Sequence, residues 1–483
     1  MASTTEETLS RLGQGERIQG EDLQGLFFEK AIINNIVLEE CDLSGGHFMG
    51  AQIRSASFDE CIFNSSDLRY CDLRESNFSG CGFVGAKLSS SQLDGASFEG
   101  ADLSGAEVEK GTLVGALLKN SRWIEATLND LDFGKASDID GATFTEGDLD
   151  SVLFAGLRAR DLGFREASMR LISFLNAEIE DCVFEGCRCS RLTMDRATGK
   201  RLNFREVRLV SSTFREAHLS DCDFLSGYFE NCDLVGGEFL RAGLQGSTFN
   251  KFCTLSRAVF DGSDLSGATL DSVDLSRASL RDVNLRGASL RGANLTGCDL
   301  EGADLTDTIL DDADLSDARL PKDFLARQLA DNKSMVVEGL DLAGVELEGG
   351  DFAGVSWRGV SLSGACLKGA EFQEADLASA DLSGACCVDV RFFGCDLSNV
   401  NLRGADLRGA DLRGAKLAGA ELHDALLQGA QAEWKEIRKA DFGPLTLVGL
   451  TVFGEISGLP QTRSLPGSFE VRENLANLLY RMR

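Results

Sequence analysis

One large apolar residue recurs every five positions through most of this chain. Between Ala258 and Leu320 the pattern is almost unbroken, with centres at Phe260, Leu265, Leu270 and every fifth position to Leu320. A small residue, usually alanine, stands two places before nearly every centre. A period of five fits neither the 3.6 of an amphipathic helix nor the 2.0 of a half-buried strand. The chain must therefore turn every five residues. Units such as LRGA and LTGC place glycine two residues after the centre. That is the third position of a type II turn, where φ > 0 and glycine carries no Cβ penalty. Each unit is then a short extended piece followed by a corner. Its backbone hydrogen bonds come from stacking on copies of itself, with the centre and the small residue inward and the other three residues outward. A single unit buries no core, so the array is a solenoid.

The same register runs from Leu23 to Phe133. Between Phe133 and Phe144 the spacing is eleven, two units plus one residue, which reads as a bulge that re-aims the stack and carries an acidic loop around Asp138 and Asp140. From Phe144 the pattern resumes, with Phe144, Phe164, Phe184, Phe204 and Phe224 twenty residues apart and Phe154, Phe174 and Phe214 halfway between. Four five-residue sides per coil give a period of twenty, so these phenylalanines are expected to stack as core. A second spacing of eleven, Phe249 to Phe260, marks another inserted residue. After Leu320 the repeat stops in PKDFLARQLADNKSMVVEG and returns at Leu342 in an altered register. Pro321 and KDFLARQLADN predict a short helix with proline in its first turn, serving either as a functional loop or as a joint.

The two ends have their own signals. Residues 3 to 13 predict a short helix with Ser3 or Thr4 as N-cap, ending at Gly13 and covering the first coil. At the other end the array degenerates beyond Trp434. The tail SFEVRENLANLLYRMR predicts an amphipathic helix with Phe469, Val471, Leu475, Leu478 and Leu479 toward one side, as a cap over open backbone or as a homodimer contact. The expected organisation is a cap over 1–20, a repeat array over 21–320 with register breaks near 134–143 and 250–259, an interruption over 321–339, a second array over 340–453, and a C-terminal segment over 454–483.

The repeated A(D/N)LxG, as ANLTG, ADLTD, ADLSD, ADLRG and ADLSG, resembles the pentapeptide repeat family. The resemblance implies an all-β fold, a right-handed quadrilateral parallel β-helix with four pentapeptides per coil and short capping or interrupting helices. It also implies a protein without enzymatic activity, as in most of that family.

Composition narrows the possibilities further. Across 483 residues, Lys plus Arg number 48 against 77 Asp plus Glu, a formal net charge of −29. Such a chain should not bind nucleic acid or an anionic membrane through a general positive field. The four prolines, at 321, 444, 460 and 466, avoid the densest repeats, where every N–H is needed. Ten of the fifteen cysteines, among them Cys41, Cys61, Cys187, Cys232 and Cys298, occupy the small position two before a centre. They are expected to be reduced core thiols of a protein made in the cytoplasm. No N-terminal apolar run and no stretch near the ~18 residues of a membrane span occurs, so any export would be by a non-classical, contact-dependent route.

Catalytic, metal and cofactor signatures are missing from the sequence. His47, His218 and His423 are far apart, and neither the CRC at Cys187 to Cys189 nor the Cys386–Cys387 doublet has zinc-like spacing. No cofactor is expected. What remains is surface charge. Asp299, Glu301, Asp304, Asp307, Asp311, Asp312, Asp314 and Asp317 form an acidic run on about one coil, and Arg403, Arg408 and Arg413 mark the later array. These are the candidate interaction residues. The first function expected is a scaffold or adaptor for a protein partner, with resemblance to accessory or effector proteins of type VI secretion. The alternative, from the quinolone-resistance members of the family, is a DNA mimic that binds DNA gyrase. B-DNA carries one charge per ~1.7 Å, so −29 approaches that density only if concentrated on one or two faces.

Overall fold

The computed structural model describes residues 4–321, 339–443, 448–453 and 468–470. The chain forms two compact units, Met1–Thr269 and Leu270–Arg483. Both are β-solenoids whose coils hold four short sides.

The first unit opens with helix α1 (Thr5–Gly13). The Thr4 hydroxyl accepts the N–H of Glu7, and Thr8 and Leu12 are buried against the first coil. The chain then winds in parallel register at a separation of twenty, one pairing per side: Asp22 with Asp42, Phe27 with His47, Ile32 with Gln52, and Val37 with Ser57. Each centre donates its N–H to the next coil, as from Leu43 to Ile62 at 2.7 Å. The residue before it donates to the coil below, as from Asp42 to Glu21 at 3.0 Å. Along two opposite sides these contacts extend to two- and three-residue strands. One forms an eight-stranded parallel sheet from Glu107–Glu109 to Thr248–Phe249, the other a five-stranded sheet from Arg158–Arg160 to Glu238–Leu240.

At the corners, a backbone N–H reaches back to the preceding centre, as from Ala31 to Phe28 at 3.0 Å, and the residue two after the centre has φ > 0. This is the expected type II geometry, but glycine is not its usual occupant. Among the described residues 42 non-glycine residues hold φ > 0, against 37 glycines. Each carries the Cβ strain of the left-handed region, roughly 1–2 kcal/mol in a regular helix of that hand. The stacked coils on either side leave those corners no other path.

The core is a set of aromatic columns. Phe144, Phe164, Phe184, Phe204 and Phe224 stack with ring centroids 5.1, 5.0, 4.5 and 4.7 Å apart. Phe133, Phe154 and Phe174 form a second column at 5.2 and 4.8 Å, which meets the first edge-on. All are fully buried.

At each inserted residue the partner separation becomes 21. The first affects Leu117 with Asp138, Thr127 with Asp148 and Asp132 with Leu153. The extra residue is absorbed in a 3-10 turn, Phe133–Lys135, where the Gly134 N–H donates to the Asp132 carboxylate at 3.1 Å. The second pairs Asp233 with Thr254 and Gly243 with Asp264, with Asn250 accepting from the backbone of Asn231 and Phe252.

In the second unit the same winding pairs Asp274 with Asn294 and Asp314, and Asp341 with Ser361, Asp381, Asn401, Glu421 and Asp441. Gly339 sits over the corner residue Asp317, so close that a Cβ there would overlap its carboxylate. The column of corner residues is therefore shared by the coils on both sides of the interruption, whose predicted helix lies outside the described residues. Near the end, helix α2 (Trp434–Ile437) follows strand Gln431–Glu433, which pairs in parallel with Thr451–Phe453.

The tail corrects the expectation of a helix starting at Ser468. Ser468–Glu470 is a strand, antiparallel to Thr451–Phe453. An open sheet edge offers a row of unpaired N–H and C=O groups, and the polar–apolar–polar order of Ser468, Phe469 and Glu470 suits a strand's period of two. Val471, Leu475, Leu478 and Leu479 lie outside the described residues.

Candidate functional site

The acidic run owes much of its pattern to the corners. In Asp299, Asp304 and Asp314 the carboxylate accepts the backbone N–H two residues on, from Glu301, Thr306 and Ser316, at 3.2, 2.9 and 3.0 Å. Asp42, Asp264, Asp381 and Asp406 do the same for Ser44, Ser266, Ser383 and Arg408. A short side-chain oxygen thus completes an Asx-type turn, which is why the residue before the centre is Asp or Asn. The Thr306 hydroxyl and then its backbone N–H hold the Asp304 carboxyl below its ordinary range.

Ion pairs occupy others of the run. Arg281 reaches Asp299 at 3.2 Å and Glu301 at 2.8 Å, and Arg291 reaches Asp311 at 3.3 Å. Asp307, Asp312 and Asp317 are corner residues with φ > 0. Because each five-residue step moves to the next side, the eight acids ring the coil and do not share one face. Arg403, Arg408 and Arg413 likewise fall on three successive sides. Arg408 and Arg413 fold back in bidentate pairs onto Asp406 and Asp411 of their own units, and Arg403 reaches Glu421 at 3.3 Å.

The tightest such arrangement is in the first unit. Asp72 is paired with both Arg74 and Arg54, and its side chain is only 11% exposed. Arg74, and then Arg54, outweigh burial and hold its pKa at about 2, against 3.8. A carboxyl with a depressed native pKa stabilises the fold above its unfolded pKa and loses that contribution as the pH falls through the native value. Asp72→Asn, which keeps the turn acceptor and removes the charge, is therefore expected to cost about 1–2 kcal/mol at pH 7 after solvent screening. The difference from wild type should shrink between about pH 4 and about pH 2 in urea denaturation.

One concentration of charge escapes the sequence reading. From Arg188 to Arg208 there are seven cations and only two acids, Asp195 and Glu206. The structure places Arg188, Arg191, Arg196 and Lys200 on one coil, all exposed. None of the four has a side-chain hydrogen bond or ion pair among the described residues. Arg188 also stands directly beside Arg208 in the eight-stranded sheet, and Arg208 lies 4.6 Å from the Tyr228 ring centre. The chain-wide charge of −29 conceals this band; a running local charge reveals it.

Beside the band, a shallow groove of about 560 Å³ crosses the five-stranded sheet over Ala159 and Ile179, with Arg158, Arg160, Glu178 and Lys200 at its edges. Two centres in this sheet are small: Ala159, and Gly199, where a Cβ would lie 2.6 Å from both Leu202 and Leu219. Arg158 and Arg160 are paired with Glu178 and Glu180 at 2.9 and 3.0 Å. Among the described residues, no group of three or more His, Cys, Asp or Glu is placed to hold a metal ion, and no helix is long and apolar enough to cross a membrane.

Comparison with known proteins matches the description "Pentapeptide repeats" in eight copies, over residues 31–69, 47–83, 83–120, 251–287, 284–320, 341–377, 358–392 and 395–431, together more than half of the chain. Among solved structures, the chain is similar to HetL, a pentapeptide repeat protein involved in heterocyst differentiation regulation in the cyanobacterium Nostoc. The identity is 29%, covering 50% of this chain and 89% of HetL, with a TM-score of 0.16. QnrB1, a plasmid-mediated fluoroquinolone resistance protein, shares 21% identity over 44% of this chain and 90% of its own, with a TM-score of 0.16. Rfr23 from the cyanobacterium Cyanothece shares 22% over 33% and 90%, with a TM-score of 0.13. No curated protein matches the chain.

Proposed function

Because the chain belongs to the pentapeptide repeat family, we propose that it is a non-enzymatic scaffold that binds a protein partner through the cationic coil of its first unit. The observation that carries this reading is the set of four exposed, unpaired cations, Arg188, Arg191, Arg196 and Lys200, within an otherwise acidic chain. They project from a stack whose backbone is fixed by hydrogen bonds above and below, so little backbone entropy is lost on binding. Opposite charge at an interface also raises the rate of productive encounter.

Two partner classes follow from the family. An adaptor or effector-associated role in type VI secretion suits the length of the repeat array and its interruption at 321–339. DNA mimicry toward gyrase is favoured by the net charge of −29. The engagement of many carboxylates in turns and ion pairs, on all four sides of the coils, favours the adaptor. Free thiols at all fifteen cysteines agree with a cytoplasmic site.

The test is direct binding of purified spike proteins and gyrase subunits to wild type and to the variant R188E/R191E/R196E/K200E. One partner is expected to bind wild type and to weaken at least about 10-fold in the variant, with unchanged circular dichroism. Equal binding by both proteins would overturn the assignment of the surface. Inhibition of gyrase supercoiling by excess protein would move the reading to mimicry. A homodimer contact through Leu475, Leu478 and Leu479 completes the proposal, and sedimentation equilibrium distinguishes one chain from two.

A further inference from the structure

All fifteen cysteines are free, and thirteen are buried. Cys366 and Cys386 are the two that are not. They occupy the outward position just before the centres Leu367 and Cys387, where Asp or Asn supplies the turn acceptor elsewhere. They are also direct ladder neighbours: Glu346 pairs with Cys366, Cys366 with Cys386, and Cys386 with Asp406. Two thiols therefore stand one above the other on the surface of adjacent coils.

The spacing of the coils limits what this pair can do. In-register neighbours on adjacent strands are ~4.8 Å apart, inside the ~4.4–6.8 Å Cα separation of a disulfide, so the pair is open to a metal ion only while it is reduced. A metal–thiolate bond is ~2.3 Å long, and two of them in line span ~4.6 Å, close to the coil spacing. No third His, Cys, Asp or Glu is placed to complete a cluster among the described residues. Zinc favours four ligands, and hard cations favour six or more oxygens. Two soft thiolates match a thiophilic monovalent ion, for which the neighbouring Glu346 carboxylate is too hard a ligand.

We propose that Cys366 and Cys386 form a linear, two-coordinate site for a soft monovalent cation of the copper(I) class. Binding forms two metal–sulfur bonds and releases the two thiol protons to solvent, with no change in oxidation state. The product carries one net negative charge. Lys368, which acts electrostatically on both sulfurs, and Arg408, which acts on Cys386, lie beside it. The backbone N–H of Lys368 favours the Cys366 thiolate, but burial and the bond to Glu346 outweigh it and hold the thiol above its ordinary value. The cation must therefore displace a proton. The site lies in the second unit and does not depend on partner binding by the first.

The experiment is an anaerobic titration of the reduced full-length protein against copper(I) held by bicinchoninate, a coloured chelator. The pair is expected to withdraw one equivalent. Cys366→Ser and Cys386→Ser should each weaken uptake at least about 100-fold, because one thiolate of two is lost, while Cys298→Ala, at a buried small-residue position, leaves it unchanged. X-ray absorption should show two sulfur neighbours. No withdrawal of copper, or withdrawal undiminished in either serine variant, overturns the proposal, as does equal affinity for zinc.

Discussion

Phe164→Ala is expected to lower the stability of the first unit by about 3–5 kcal/mol. The ring is fully buried and lies face to face with Phe144 at 5.1 Å and Phe184 at 5.0 Å. It also meets Phe154 and Phe174 edge-on at 5.4 and 5.8 Å. Aromatic pairs add about 0.5–1.5 kcal/mol beyond burial, so removal costs stacking in two columns as well as leaving a cavity. The coils above and below are held at fixed spacing by the backbone ladder, which prevents collapse into the space. Phe164→Leu places at that site the residue that fills most other centres and should cost about 1 kcal/mol. Urea denaturation followed by circular dichroism checks both values.

The second large effect is expected at the first register break. Gly134 has no unusual φ, yet a Cβ there would overlap the Ala155 carbonyl oxygen and lie 3.2 Å from the Ala155 nitrogen. Both atoms belong to the backbone of the next coil and cannot rotate away. Gly134→Ala should therefore cost about 2–3 kcal/mol by overpacking. Gly156 is the useful contrast. Its φ is +68°, with nothing within 4 Å of an added methyl, and a non-glycine residue occupies many equivalent corners. Gly156→Ala exchanges left-handed strain for reduced freedom of the unfolded chain and should cost less than about 1 kcal/mol. Thermal melts of the two variants should separate clearly; equal losses would mean that the turn at Phe133–Lys135 does not pack on the coil above it.

The winding is legible in the sequence because a period of five excludes helix and strand, and because Phe144, Phe164 and Phe184 repeat at twenty. The inserted residues are legible as spacings of eleven. The corners are only half legible: glycine signals φ > 0, but Glu166, Leu171 and Asp181 hold the same conformation, forced there by neighbours that a local reading does not include. The role of Asp and Asn before the centre is hidden as long as outward residues count only as solvent-facing, although Asp304 and Asp314 complete turns. The run from Asp299 to Asp317 is legible as outward acids on about one coil, but not its division between turn acceptors and ion pairs. The cationic coil from Arg188 to Lys200 is hidden for a different reason, since a net charge summed over the whole chain erases local excess. Apolar spacing alone puts Ser468 in a helix, while the edge of Thr451–Phe453 that it pairs with is a feature of the folded stack.

The central claim is that residues twenty apart lie directly over one another, and twenty-one apart at the two inserted residues. A crystal structure of the full chain tests it most directly. It should place Phe144, Phe164 and Phe184 in one column with rings about 5 Å apart, and pair Thr127 with Asp148. Rings pointing to separate surfaces, or Thr127 opposite Gly147, would contradict the account.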